Sequence, residues 1–273
     1  MSALPDLFTA FRETLGRTAL PDETMGRVFL RLVRALVHVD EVVVFAYHQA
    51  DRPLDLFSTF SPADYHVFVA LYQAGPYLLD PFCRHARERR AGLYRMRDLA
   101  PDRFYSSEYH RTYYVQTGLA EEVGFFVPVE GATLVLSLMR REASGGFSEA
   151  EMAPLHQAEA LVSDLVRLYW GGVAARFGAR APAPGPWARL NLTEREAAIV
   201  ELVLQGHSSE SIALRLGITT GTVKVHRRNV YRKLGISSQT QLLSLYLAER
   251  DPDMTRPGPL SGSGSFPVKG QVR

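Results

Sequence analysis

Cysteine is nearly absent from this chain: one residue, Cys83, in 273. An intrachain disulfide is therefore impossible, and nothing points to an oxidising compartment. Long apolar runs are missing too. None approaches the roughly 18 residues that a membrane span needs, and the N-terminal stretch "MSALPDLFTAFRETLGRTALPDE" carries acids where a signal peptide has a continuous apolar core. No GxxxxGK[ST] occurs, which excludes a P-loop nucleotide hydrolase. The nearest approach to a hydrolase nucleophile elbow, "GHSSES", does not fit GxSxG, and no acid pair or Cys–His couple is spaced for catalysis. The expectation is a cytoplasmic protein that is not an enzyme, with no cofactor, no metal and no membrane partner.

Lysine is absent from residues 1–186, where 19 arginines face 22 acids for a net −3. Residues 187–250 reverse the balance, with 9 Lys/Arg against 5 acids, a net +4. A positive excess confined to the shorter block is where a polyanion-binding surface belongs. Between the two blocks, "FGARAPAPGPWARL" places prolines at 182, 184 and 186, which no helix can run through. The end from Asp251 is rich in Pro, Gly and Ser and has no apolar period. These shifts divide the chain into an N-terminal domain (1–176), a linker (177–188), a C-terminal domain (189–250) and a disordered tail (251–273).

The N-terminal pattern mixes helices and strands. Helical spacing covers 4–16 and 22–37, and "SPADYHVFVALYQAG" opens on Ser61-Pro62 and closes at Gly75. Further helices are expected over 80–90 and 106–118. "EVVVFAYH" and "LDLFSTF" read as strands, and "EEVGFFVPVE" and "ATLVLSLMRR" as a hairpin broken at Glu130-Gly131. Ser148 with Glu151 makes a capping box for a long helix carrying Met152, Leu155, Leu161, Val162, Leu165, Val166 and Tyr169 on one side. That stripe suits packing on the sheet and suits dimerisation equally. The fold class is α/β (α+β), a sheet flanked by helices. Strands flanked by helices, ending in a long helix after "GGFSEAE", resemble the GAF/PAS type of sensor domain.

After the linker the pattern is all helical, four short helices in about 60 residues, which makes one small bundle. The first three close on Gly206, Gly217 and Gly235, and Thr193 caps the first. On a helical wheel the third helix sets Val223, Val230 and Leu234 in a narrow seam and turns Lys224, Val225, Arg228 and Arg232 the other way. No acid occurs from Gly217 to Leu234, whereas a merely solvated helix would pair Glu with its Lys and Arg. That absence favours phosphate as the partner of that face. The tight link "LRLGITTGT" joins the second and third helices as a helix–turn–helix does, which puts the third in a major groove.

The run "LTEREAAIVELVLQGHSSESIALRLGITTGTVKVHRRNVYRKLGISSQTQLL" closely resembles the LuxR-type helix–turn–helix DNA-binding domain. Ser211 stands where the family usually has an acid, Glu210 where a base is common, and Gln239 where arginine is frequent. The resemblance implies base reading by Lys224, Val225 and Arg228. Arg228 has the chemistry to bond a guanine edge and Val225 to touch a thymine methyl. Thr222, Arg227, Asn229, Arg232 and Lys233 are expected on the DNA backbone, with snorkelling over the bundle as the other reading of Arg227 and Lys233. Packing on its own bundle explains some of Leu242, Leu243, Tyr246 and Leu247 in the fourth helix; in that family the helix also mediates dimer contacts, which implies a homodimer on a pseudo-palindromic double-stranded DNA site.

"YQAGPYLLDPFCRHARERRAGLYRM" resembles the acyl-homoserine-lactone sensor domains, where an Asp-Pro lies in the pocket; Asp80-Pro81 matches it. Those pockets also use tryptophan, and the two here are Trp170 and Trp187, outside this stretch. The expected signal is therefore a different, unidentified small molecule, with Asp80 facing an amine or amide N–H and Tyr72, Tyr94, Tyr113 and Phe126 as walls. The alternative for Asp80 is a plain helix cap, and for the aromatics an ordinary core. Cys83 and His85 do not complete a metal site. The whole reads as a ligand-responsive transcription regulator of bacterial type, the alternative being a regulator that is constitutive or controlled by a protein partner.

Overall fold

The computed structural model describes residues 20–49, 51–177 and 190–250, together with residues 9, 12 and 187. Apart from single residues, the expected helix over 4–16, the linker and the tail lie outside the described residues.

Helix α1 (Asp22–Leu36) leads into strands β1 (Glu41–Tyr47) and β2 (Leu54–Ser58). Helix α2 (Pro62–Tyr65), capped by Ser61, passes into a π-helical stretch over His66–Leu71. The single helix expected here is thus interrupted, in the manner of π-bulges, which gather at functional sites. Next come α3 (Pro81–Arg87), β3 (Gly92–Arg95), α4 (Met96–Leu99) and α5 (Glu108–Thr112). The expected helix over 80–90 stops early because Arg89 turns to φ +56°, and the one over 106–118 is a short α-helix followed by a 3-10 turn ended by Gly118 at φ +62°. Strand β3 was not expected; four residues beside an arginine-rich turn carry too little alternation to show it.

Strands β4 (Leu119–Val129) and β5 (Ala132–Arg141) form the expected hairpin, turned at Gly131 with φ +70°. The sheet order is β2-β1-β5-β4-β3, every neighbour antiparallel. One face packs on α1 and on the long helix α6 (Glu149–Trp170), whose N-terminus carries the Ser148–Glu151 capping box. Met152, Leu155, Val162, Leu165, Val166 and Trp170 are buried there. Leu161, expected on the inward side, is 41% exposed, and Leu168 is exposed as well. A buried pair ties β3 to β4, with Arg95 Nε and Nη2 donating to Glu121 at 2.6 and 2.9 Å, while Arg95 also meets the Phe147 carbonyl and, through Nη1, Glu149 of the helix at 2.7 Å.

The C-terminal bundle comprises α7 (Glu194–Leu204), α8 (Ser209–Leu216), α9 (Thr220–Leu234) and α10 (Gln239–Arg250). Side-chain caps from Thr193, Ser208 and Thr219 start the first three, and Gly217 and Gly235 close α8 and α9 in the left-handed region. Ile199, Val200, Ile212, Val223, Val230 and Leu242 are all buried in the bundle core.

Candidate DNA-binding surface and candidate sensor cavity

Helix α9 buries only Val223 and Val230, the seam that the wheel selects. Lys224, Val225, Arg228, Arg232 and Lys233 are exposed, while Thr222, Arg227 and Asn229 are half-buried. Their settings differ. Arg232 donates to the Asn229 side chain at 3.1 Å. Lys233 is held at 2.6 Å by Glu196, a bond that keeps the Glu196 carboxyl below its usual range. Arg227 lines a polar cleft with Arg103, Arg111 and His207. Leu234, expected in the seam, is half-buried rather than buried.

The bundle sits against the N-terminal region along a polar seam. The Arg103 amide donates to the Gly206 carbonyl at 2.9 Å, and the Ser208 amide to Asp102 Oδ1 at 3.0 Å. Arg84 donates to His207 Nε2 at 3.0 Å. Burial and the nearby Arg215 and Arg84 push His207 down to about 4, so its ring is neutral at physiological pH. With Nε2 accepting, Nδ1 carries the proton and donates to Ser211 Oγ at 3.0 Å. Ser211, where the family usually has an acid, thus completes a seam contact. Another departure, Gln239, bonds the Val203 carbonyl at 3.1 Å. Gly206 has φ +94°, and a Cβ there would lie 2.8 Å from the Phe104 backbone.

On the sheet face away from α6, a cavity is lined by Phe45, Tyr47, Phe68, Tyr72, Asp80, Tyr109, Tyr113, Glu122 and Ser137, among others. Of the expected ligand residues it gathers Tyr72, Asp80 and Tyr113. Tyr94 and Phe126 are not among its lining; their rings pack instead around His85, at 4.3 and 5.0 Å. Asp80 is both things the sequence allowed. Its Oδ1 caps α3 through the Phe82 amide at 2.8 Å, and its Oδ2 accepts from Tyr72 at 2.6 Å while facing the cavity. Tyr47 and Tyr72 hydroxyls meet at 2.8 Å. Burial raises the Asp80 carboxyl to about 6, against the pull of the Tyr72 and Phe82 hydrogen bonds. Glu122, which sequence reasoning missed, is pushed up to about 8 by burial and by the charge of Asp80. The cavity is pinched, with a volume of only about 30 Å³.

A basic helix projecting an exposed acid-free face from a capped helical bundle defines a DNA-binding regulator. The comparisons agree: residues 190–246 match the family of bacterial regulatory proteins described as the luxR family. Over 183 residues, 62% of this chain and 93% of the relative, the chain is 33% identical to a putative HTH-type transcriptional regulator in the exeN 3′ region of Aeromonas salmonicida. It is 44% identical over 59 residues to the nitrate/nitrite response regulator protein NarP of Escherichia coli, which is 22% of this chain and 27% of that one. Among solved structures, the VqsR LBD domain from Pseudomonas aeruginosa is similar at a TM-score of 0.48 and 25% identity, covering 61% of this chain and 93% of that one. The protein belongs to the luxR family of bacterial regulatory proteins and is a transcriptional regulator with a LuxR-type DNA-binding domain. Among the described residues, no helix is long and apolar enough to cross a membrane.

Proposed function

We propose that this regulator reads a specific double-stranded sequence with Lys224, Val225 and Arg228, and that a small molecule in the N-terminal region controls that reading. In this assignment residues 1–176 sense and dimerise, and 189–250 bind DNA. The observation that carries it is the outer face of α9, where Lys224, Val225 and Arg228 are exposed and no acid competes with phosphate. Thr222, Asn229 and Arg232 flank that face as backbone contacts. Lys233, bonded to Glu196, and Arg227, at the polar cleft, are the other candidate backbone contacts. Gel-shift titration tests the reading: Arg228→Ala should weaken the specific site by about 1–3 kcal/mol and relax one base position. Equal loss on random DNA would make Arg228 a phosphate contact instead.

The sensor half rests on a buried cavity that holds two carboxyl groups. A regulator governed by a protein partner, without a small ligand, has the pinched volume in its favour. Native mass spectrometry of the full-length protein separates the two: a dimer carrying a mass that leaves on denaturation supports sensing, and a bare dimer supports the partner-controlled reading.

A further inference from the structure

The cavity in the N-terminal region has an unbalanced chemistry. Asp80 and Glu122 line it with two carboxyls, and among the described residues no arginine, lysine or histidine lines it. Asp80 already accepts from Tyr72 and Phe82, but Glu122, on a residue only 7% exposed, has the Ser137 hydroxyl as its one hydrogen-bonding partner among the described residues. A carboxylate offers about four acceptor positions, so most of those of Glu122 are unused. Apart from Ser137 and Thr117, the other walls are aromatic rings, whose faces attract a cation, and aliphatic side chains.

A second cavity adjoins the first. Leu71, Ala74, Pro76 and Leu79 line it from the N-terminal region, and Leu243 and Leu247 from α10. Tyr109 and Tyr113 belong to both linings, so two stacked rings, 5.6 Å between centroids, form the partition. The second space is almost wholly apolar, with a volume of about 240 Å³. The first has room for a group the size of an ammonium; the second has room for a body of several carbons.

Resting on the ligand-sensing reading above, we propose that the signal is an organic amine, its ammonium group between Asp80 and Glu122 and its apolar remainder in the cavity against Leu243 and Leu247. The cation supplies the charge that the two acids lack, and burial between them compensates its own loss of water. Its remainder touches the DNA-binding bundle directly, past the Tyr109–Tyr113 partition.

The test is isothermal titration of the full-length protein with n-hexylamine, methylamine, 1-hexanol and hexanoate. Hexylamine should bind at least tenfold more tightly than 1-hexanol or hexanoate, and more tightly than methylamine. Glu122→Gln, checked as folded by circular dichroism, should lose at least tenfold in hexylamine affinity. Leu247→Trp, which fills the apolar cavity, should remove the advantage of hexylamine over methylamine and leave methylamine binding in place. If 1-hexanol or hexanoate binds as well as hexylamine, the amine class is wrong while ligand sensing stands. If folded protein binds none of the four, or Glu122→Gln binds hexylamine undiminished, the proposal is overturned. A bare dimer in native mass spectrometry of protein taken from its own host, together with no binding of any of the four probes, would remove the sensor reading itself.

Discussion

The two faces of the sheet are built from the same strands and are chemically unlike. Toward α1 and α6 the strands present Val42, Val44, Ala46, Val123, Phe125, Val127, Leu134, Leu136 and Leu138, all buried and all apolar. Toward α3 and the bundle, the alternating positions are Val43, Phe45, Tyr47, Glu122, Gly124, Phe126, Val135, Ser137 and Met139. The first face is filled, and its contribution is stability. The second places a tyrosine, a serine and an acid over a cavity, an arrangement that costs stability wherever polar groups are buried without full hydrogen bonding. One layer holds the fold together so that the other can carry incompletely satisfied groups.

That contrast can be broken at several points. The largest effect belongs to the dry face: Phe125→Ala should cost about 3–5 kcal/mol in denaturant unfolding, with the base preference of the surviving folded fraction unchanged. If the DNA preference shifted as well, the division between the faces would be wrong. Arg228→Ala should do the reverse, losing affinity for its site while the unfolding midpoint stays put, since its side chain lies on the exposed face.

The cavity face predicts a substitution that stabilises. Glu122 holds its proton to about 8 in the folded chain, against 4.5 as its ordinary value. Folded protein therefore binds more protons than unfolded protein across that window, and wild-type stability falls as pH rises through it. Glu122→Gln removes the loss. It should be more stable by on the order of 1–2 kcal/mol at pH 8, with little difference at pH 4, as read from urea midpoints at both values. A mutant less stable than wild type at pH 8 would mean that the carboxylate is satisfied. The smallest effect is at the seam. Gly206→Ala, forced into φ +94° and against the Phe104 backbone, should lose about 1 kcal/mol. Faster hydrogen exchange at the Arg103 and Ser208 amides, with β5 still protected, is the expected signature.

How much of this was legible follows from where each function is assembled. The α9 face could be read because its residues lie on one regular helix, where a 3.6-residue period separates the buried seam from the exposed side. The hairpin, the capping boxes and the first two strands could be read for the same local reason. Cavity residues come from β1, the π-helical stretch, α3, α5, β4 and β5, and no single period links them. Asp80 and Tyr72 were within reach because both lie in one motif; Tyr94 lies in the same motif but its ring, like that of Phe126, packs on His85. Glu122 did leave a signal. Strand alternation in "EEVGFFVPVE" puts it on the face of Gly124 and Phe126 while Glu121 turns to Arg95. An acid in line with inward-facing apolar positions is conspicuous once β4 is known to be covered on both sides. The interruption of the helix after Tyr65 and the seam at Gly206 were out of reach, since both depend on packing partners distant in the chain.

Helix α3 begins at the cavity and ends at the seam. Asp80 caps its first turn, and Arg84, four residues later, reaches His207. At 1.5 Å of rise per residue, about 6 Å separates the two positions along the axis. The helix is thus a lever with a very short arm. On the ligand-sensing proposal, a displacement of its cap would have a single turn of backbone in which to be absorbed before the DNA-binding bundle, and no extended relay across the N-terminal region would be required.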